Sequence, residues 1–146
     1  MPDKPELYPL KFQPILKSKI WGGNKLTSLF SKGPLQDGIG ESWELSGVSG
    51  NISEVKNGEL QGVSLNELLQ LYGAELLGNR VAKQYGTEFP LLFKFIDARQ
   101  DLSVQLHPDD ALAQKRHQSF GKTEMWYVVN TSPDARLIIG FNREMD

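Results

Sequence analysis

Ser103, Gln105 and His107 stand two residues apart in Leu102-Ser103-Val104-Gln105-Leu106-His107-Pro108, and a glutamate follows in Gly121-Lys122-Thr123-Glu124. Side chains on a strand alternate between its two faces. A strand over Leu102–His107 therefore puts Leu102, Val104 and Leu106 on one side, and a hydroxyl, an amide and an imidazole on the other. One apolar face anchors such a strand, and the polar face is then free to line a cavity. The same arithmetic places Lys122, Glu124 and Trp126 together, with Met125 and Tyr127 opposite. A neutral imidazole with amide and carboxylate oxygens, and no thiolate, is a donor set for zinc or another first-row divalent cation. Short alternation of this kind also describes an ordinary half-buried strand with a solvated face and a charged turn. The pattern alone fits both readings.

The elements that must position these groups read mostly as strands. Residues 1–7 form a loose arm, and Leu7–Phe12 a short strand cut off by Pro14. Ile20-Trp21-Gly22-Gly23-Asn24 reads as a turn with an aromatic at its entry. Gly, Pro and Asp make Ser31–Gly38 a loop. Glu41–Ser46, Asn51–Lys56, Phe89–Asp97, Leu102–His107, Met125–Val129 and Arg136–Phe141 follow as strands. One helix interrupts them near 64–77. Ser64 with Glu67 three residues on is a capping box, Leu65, Leu68, Leu69, Tyr72 and Leu76 recur at helical spacing, and Gly78 stands at the C-cap position. This Leu-rich face is read as packing rather than as a partner-binding surface. Asp109 or Asp110 is placed to cap a further helical turn through Ala111–Arg116. Strands separated by turn signals argue for an all-β barrel or sandwich.

Composition excludes several classes of function. The 146 residues are enough for one domain with a core, and the net charge of −2 comes from mixed signs without the basic stripe that nucleic acid requires. No apolar run reaches the roughly 18 residues of a membrane span. The polar Met1–Glu6 start lacks the apolar centre of a signal peptide. With no cysteine there is neither a disulfide framework nor a thiolate metal site. A cytoplasmic protein, without nucleic-acid or membrane partners, is the expectation.

Ile20-Trp21-Gly22-Gly23, Gly40-Glu41-Ser42-Trp43-Glu44-Leu45-Ser46, Phe89-Pro90-Leu91-Leu92-Phe93-Lys94-Phe95, Leu102–Asp110 and Gly121–Tyr127, taken in this order, resemble the N-terminal portion of class I mannose-6-phosphate isomerases (phosphomannose isomerases) of the short bacterial form. The resemblance implies an all-β cupin-type jelly roll of two antiparallel sheets. Gln105-x-His107…Glu124…Gly140 looks like the first cupin motif, with Gln in place of the usual first His, and the second motif would lie beyond Asp146. It further implies interconversion of mannose 6-phosphate and fructose 6-phosphate through a cis-enediol. One zinc ion per full-length subunit would be held by a Gln, a His, a Glu and a second His. The first three match Gln105, His107 and Glu124. His117 does not match the fourth and is read as a surface residue.

Enediol chemistry needs a base for the carbon-bound proton, an electrophile for the developing charge, and a donor-rich patch for the phosphate. Lys122 is the candidate for substrate contact or proton transfer, against a solvated lysine in a turn. Ser103 is placed to touch phosphate or a sugar oxygen, against simple space filling. Trp21 is placed to line the pocket mouth, against rim packing. Glu44, facing the same way as Ser42 and Ser46, either orients a ligand or makes a structural hydrogen bond. Phe93 and Phe95 are core by pattern, with Lys94 between them on the opposite face.

Because the resembled family is longer, the chain is expected to be the N-terminal portion of a cupin-like isomerase catalytic domain, inactive by itself. The alternative is a non-catalytic cupin-like module that binds a sugar phosphate. Self-association through an exposed strand edge at Arg136–Phe141 is a further expectation.

Overall fold

Three short strands pair into an antiparallel sheet in the order β1 (Ile15–Gly23), β2 (Ile39–Ser46), β3 (Leu92–Ile96). The structure, a computed structural model, describes residues 4–143, and the chain divides into two units, Met1–Leu102 and Ser103–Asp146. The sheet belongs to the first unit. Ile15, Leu16 and Lys17 face Trp43, Ser42 and Glu41 in regular register. The ladder then slips between Ser18 and Gly23, where both pair with Ile39. The predicted turn at Ile20–Asn24 is thus mostly the irregular end of β1. Gly22 is required there, because a Cβ would lie 2.5 Å from the backbone nitrogen of Gly40.

The short helix α1 (Lys25–Ser28) follows directly, and its own N-cap residue Asn24 supplies no side-chain hydrogen bond. Asp97, just past β3, supplies one instead: its Oδ2 accepts from the Lys25 N–H at 2.7 Å. An acceptor from a distant strand satisfies an otherwise orphaned helix-end donor.

The predicted helix begins where the capping box puts it. Ser64 Oγ accepts from Glu67 N–H, and Glu67 Oε2 accepts from the Ser64 N–H and hydroxyl. It does not run to residue 77 as one element. It is α2 (Leu65–Tyr72), broken at Gly73, whose φ of +46° lies outside helical space, then α3 (Ala74–Leu77) and α4 (Asn79–Tyr85). Leu68 and Tyr72 of α2 pack with Val55 and Leu60, and Leu7, Tyr8, Leu10 and Phe12 close over them. The segment expected to be a loose arm is tied down from Lys4 onward. Tyr72 Oη donates to Pro5 O at 2.7 Å, and Tyr8 Oη donates to Asn57 O at 2.7 Å while accepting from Leu60 N–H at 2.8 Å. The strands expected at Leu7–Phe12 and Asn51–Lys56 shrink to the single bridge Phe12–Val55, with Glu54 bridged to Ser64.

Phe95 stacks on Phe30 with ring centroids 5.8 Å apart, yet Phe93 is 58% exposed and is not core. The sheet covers only one of the two predicted aromatics.

Among the described residues of the second unit there is one helix, α5 (Asp110–His117), N-capped by Asp109. Lys115, Arg116 and His117 occupy its last turn, where positive charge complements the helix dipole. The expected strands at Leu102–His107, Met125–Val129 and Arg136–Phe141 do not form. Val104, Leu106, Met125, Tyr127, Ile138 and Ile139 accordingly remain exposed. A strand, unlike a helix, cannot satisfy its own backbone and needs a partner ladder. The described residues show part of the expected β architecture, a small antiparallel sheet, with five helices where one had been expected, and the segment expected to offer a strand edge at Arg136–Phe141 is irregular and apolar. Among the described residues no helix is long and apolar enough to cross a membrane.

Candidate metal and substrate site

Within the second unit the chain brings Lys122, fifteen positions on, back to His107: Lys122 Nζ lies 3.4 Å from His107 Nε2. The other ring nitrogen, Nδ1, is 3.5 Å from Glu124 Oε2, and Lys122 Nζ is 3.0 Å from Glu124 Oε1. The three side chains thus form a closed triangle of imidazole, carboxylate and ammonium, partly open to solvent. The contacts to the imidazole are longer than direct hydrogen bonds. They are polar juxtapositions that a small shift or a shared ligand would tighten.

Ser103 and Gln105 lie on a common side, as alternation predicts. Gln105 Nε2 donates to Ser103 Oγ at 2.8 Å. The bond uses the amide nitrogen, whereas the ligating atom of an amide is its carbonyl oxygen. The second unit therefore contains Ser103 with Gln105, and His107 with Lys122 and Glu124, as two polar groupings along the same segment. His117 ends α5, about 10 Å of helix axis from Asp110, and is exposed, as its reading as a surface residue expects.

The donor chemistry fits a divalent cation. Two ligands on tetrahedral zinc, with bonds near 2.0–2.2 Å, stand about 3.4 Å apart, against 3.5 Å for His107 Nδ1 and Glu124 Oε2. Among the described residues no three His, Asp or Glu side chains converge.

Trp21 belongs to the first unit. Its indole lies over Gly40, where a Cβ would be 2.6 Å from the ring, and its backbone oxygen accepts from Arg99 and Gln100. These contacts describe packing on the sheet.

The sheet also carries a polar cluster whose centre, Glu41, sequence reasoning did not single out. Glu41 is 7% exposed. Its Oε1 accepts from Lys94 Nζ at 2.9 Å, its Oε2 from Trp43 Nε1 at 2.9 Å, and Lys19 Nζ lies 3.7 Å away. Burial would raise its pKa, but the hydrogen bonds from Lys94 and Trp43 and the charges of Lys94 and Lys19 outweigh it, holding the carboxyl below its usual range. The sequence holds part of the signal, since Glu41 and Trp43 alternate onto one face, but that Lys94 lies opposite Trp43 is set by strand register, which only the fold fixes. Lys94, on the face opposite Phe93 and Phe95, points toward this carboxylate. Glu44 accepts from Ser42 Oγ at 2.6 Å and Lys32 Nζ at 2.9 Å. These are the structural hydrogen bonds that were one of its two readings. A groove of about 390 Å³ lined by Ile15, Gly50, Asn51, Ile52, Glu54 and Ser64 contains none of the candidate residues.

Residues 9–135 match the family model for the phosphomannose isomerase type I catalytic domain. The chain is 42% identical over 132 residues to the mannose-6-phosphate isomerase of Streptococcus mutans, covering 90% of this chain and 40% of that protein. It is 40% identical over 135 residues to the mannose-6-phosphate isomerase ManA of Bacillus subtilis, covering 92% and 41%. A crystal structure of mannose 6-phosphate isomerase from Bacillus subtilis superposes with a TM-score of 0.68 at 34% identity, over 77% of this chain and 35% of that one. The chain thus spans about two-fifths of the length of these curated relatives. On the extent of that match, the chain belongs to the phosphomannose isomerase type I catalytic-domain family.

Proposed function

We propose that this chain is the N-terminal portion of a cupin-like catalytic domain, a jelly roll in its complete form, that interconverts mannose 6-phosphate and fructose 6-phosphate through a cis-enediol with one zinc ion per full-length subunit. The observation that carries the reading is the closed contact of His107, Lys122 and Glu124. Gln105, His107 and Glu124 would hold the metal. What a bound divalent cation supplies there is Lewis acidity toward a substrate oxygen. Lys122, whose Nζ lies beside the proposed ligands His107 and Glu124, would be the group that moves the proton between C1 and C2. Ser103 would donate its hydroxyl to the phosphate or a sugar oxygen. The activity is assigned to the cytoplasm, with no nucleic-acid or membrane partner.

The resemblance implies a second His as a fourth protein ligand, and His117 does not match it. The isolated chain therefore binds zinc weakly and does not turn over. The test is isothermal titration of the purified chain with zinc, beside an assay of mannose 6-phosphate conversion with zinc and with a chelator. His107→Ala and Glu124→Gln should each weaken zinc binding by about 10-fold or more. Zinc binding unchanged in both variants would refute the metal reading. Zinc-dependent turnover by the chain alone would refute its incompleteness.

A further inference from the structure

We propose that Asp110 is a positioning residue: its carboxylate latches Gly121 to the first turn of α5 and so holds Lys122 and Glu124 against His107. The inference rests on the site proposed above but is carried by a different set of contacts. Gly121 N–H donates to Asp110 Oδ1 at 2.8 Å across eleven residues. The neighbouring carboxylate has another task, since Asp109 Oδ1 accepts from Leu112 N–H at 2.8 Å and caps α5. Two consecutive aspartates thus serve two elements, one the helix and the other the returning chain.

The approach at Gly121 is backbone to backbone. A Cβ there would lie 2.6 Å from Asp109 C and Asp110 N, and 2.9 Å from Pro108 O. No side chain fits between the returning segment and the Pro108–Asp110 turn, so glycine lets the latch bond close. The candidate residues flank this junction. His107 immediately precedes Pro108, Lys122 immediately follows Gly121, and Glu124 lies on the same side as Lys122 two residues on. With adjacent Cα atoms 3.8 Å apart, closing the chain at Asp110–Gly121 fixes how far apart His107 and Lys122 can move. The side-chain contacts themselves, at 3.4 and 3.5 Å, are looser than the 2.8 Å latch. The latch offsets the loop-closure entropy that the site would otherwise have to overcome on binding a ligand.

The experiment is NMR on the full 146-residue chain, followed by zinc titration. In the unsubstituted protein the His107 ring protons show NOEs to the Lys122 and Glu124 side chains, and the Gly121 amide exchanges slowly. Asp110→Ala loses both signals while the α5 amide shifts persist. Asp110→Asn keeps an oxygen acceptor and restores them. Zinc affinity falls about 10- to 100-fold in Asp110→Ala and recovers in Asp110→Asn. Gly121→Ala, which leaves both aspartates and the cap intact, reproduces the loss should Asp110→Ala disturb α5. Asp109→Ala frays α5 but keeps the Gly121 bond. Persistence of the His107 NOEs in both Asp110→Ala and Gly121→Ala overturns the proposal whether or not zinc binds, as does failure of Asp110→Asn to rescue. NOEs lost on cue in a chain that never binds zinc support the latch and refute the metal reading instead.

Discussion

Replacing Glu41 by Gln should destabilise the first unit more than any surface substitution would. The Glu41 carboxylate accepts two hydrogen bonds at 2.9 Å, one from the Lys94 ammonium and one from the Trp43 indole, on a side chain only 9% exposed. Gln has the same shape but presents one oxygen and one NH2, so Lys94 or Trp43 must face a donor. It also removes the countercharge of Lys94, whose side chain is 22% exposed and regains only part of its hydration. A hydrogen bond to a charged group contributes about 1.5–3 kcal/mol, and rehydration of Lys94 recovers some of the loss, so Glu41→Gln should cost about 2–3 kcal/mol at pH 7. Urea denaturation followed by far-UV circular dichroism is the assay, chosen because Trp43 fluorescence would change locally. With a slope of about 1.5 kcal/mol per molar urea, the midpoint falls by about 1–2 M.

The pH dependence gives a second check with a fixed sign. Glu41 has a folded-state pKa below its ordinary 4.5. Its contribution is therefore fully present above about pH 4.5 and is lost as pH falls through the folded value. The gap between the wild-type and Gln proteins should be widest at neutral pH and close in acid. A loss below about 0.5 kcal/mol at pH 7, the range of ordinary surface changes, or a gap that widens in acid, would refute the reasoning.

Gly23→Ala would drive a Cβ into the Asp97 carboxylate, the group that caps α1. It should cost about 1–3 kcal/mol, read as a lowered thermal midpoint, and an unchanged midpoint would show that Asp97 moves aside freely. Ser64→Ala removes the hydroxyl that donates to Glu67 Oε2 and accepts from the Glu67 N–H, while the backbone N–H of residue 64 can still donate to Glu67. Because hydrogen bonds from Ser64 hold the Glu67 pKa below 4.5, carboxyl titration by NMR should show it rising toward 4.5, and no rise would mean that the capping box does not form in solution. Ile138 and Ile139 are 76% and 86% exposed, so the chain should self-associate with rising concentration by size exclusion with light scattering. Ile138→Lys with Ile139→Lys should restore the monomer, and a wild-type chain that stays monomeric throughout would sink the expectation.

The contrast between α2 and the second unit shows how far sequence patterns reach. Ser64, Glu67, Leu65, Leu68, Leu69 and Tyr72 specify α2 because every group involved lies within one or two turns of its partner. Gly73 then breaks the element, although the apolar spacing continues to Leu76. The alternation of Ser103, Gln105 and His107 also anticipates that Ser103 and Gln105 meet. It does not make a strand, because pleat sidedness is local whereas a ladder needs another backbone beside it.

Aspartates 109 and 110 mark the same boundary inside two residues. From the sequence alone, either was fit to cap a helix over Ala111–Arg116. Only the folded chain assigns the cap to Asp109 and sends Asp110 to Gly121. Asp97 on Lys25, 72 residues away, and Lys94 on Glu41, 53 residues away, are decisions of the same kind. The sequence by itself determined the residue types able to hold a metal or move a proton, and the elements whose hydrogen bonds close within a few residues. Tertiary structure decided which of those groups meet, because contacts between distant segments depend on how the intervening backbone packs, and no local period encodes that path.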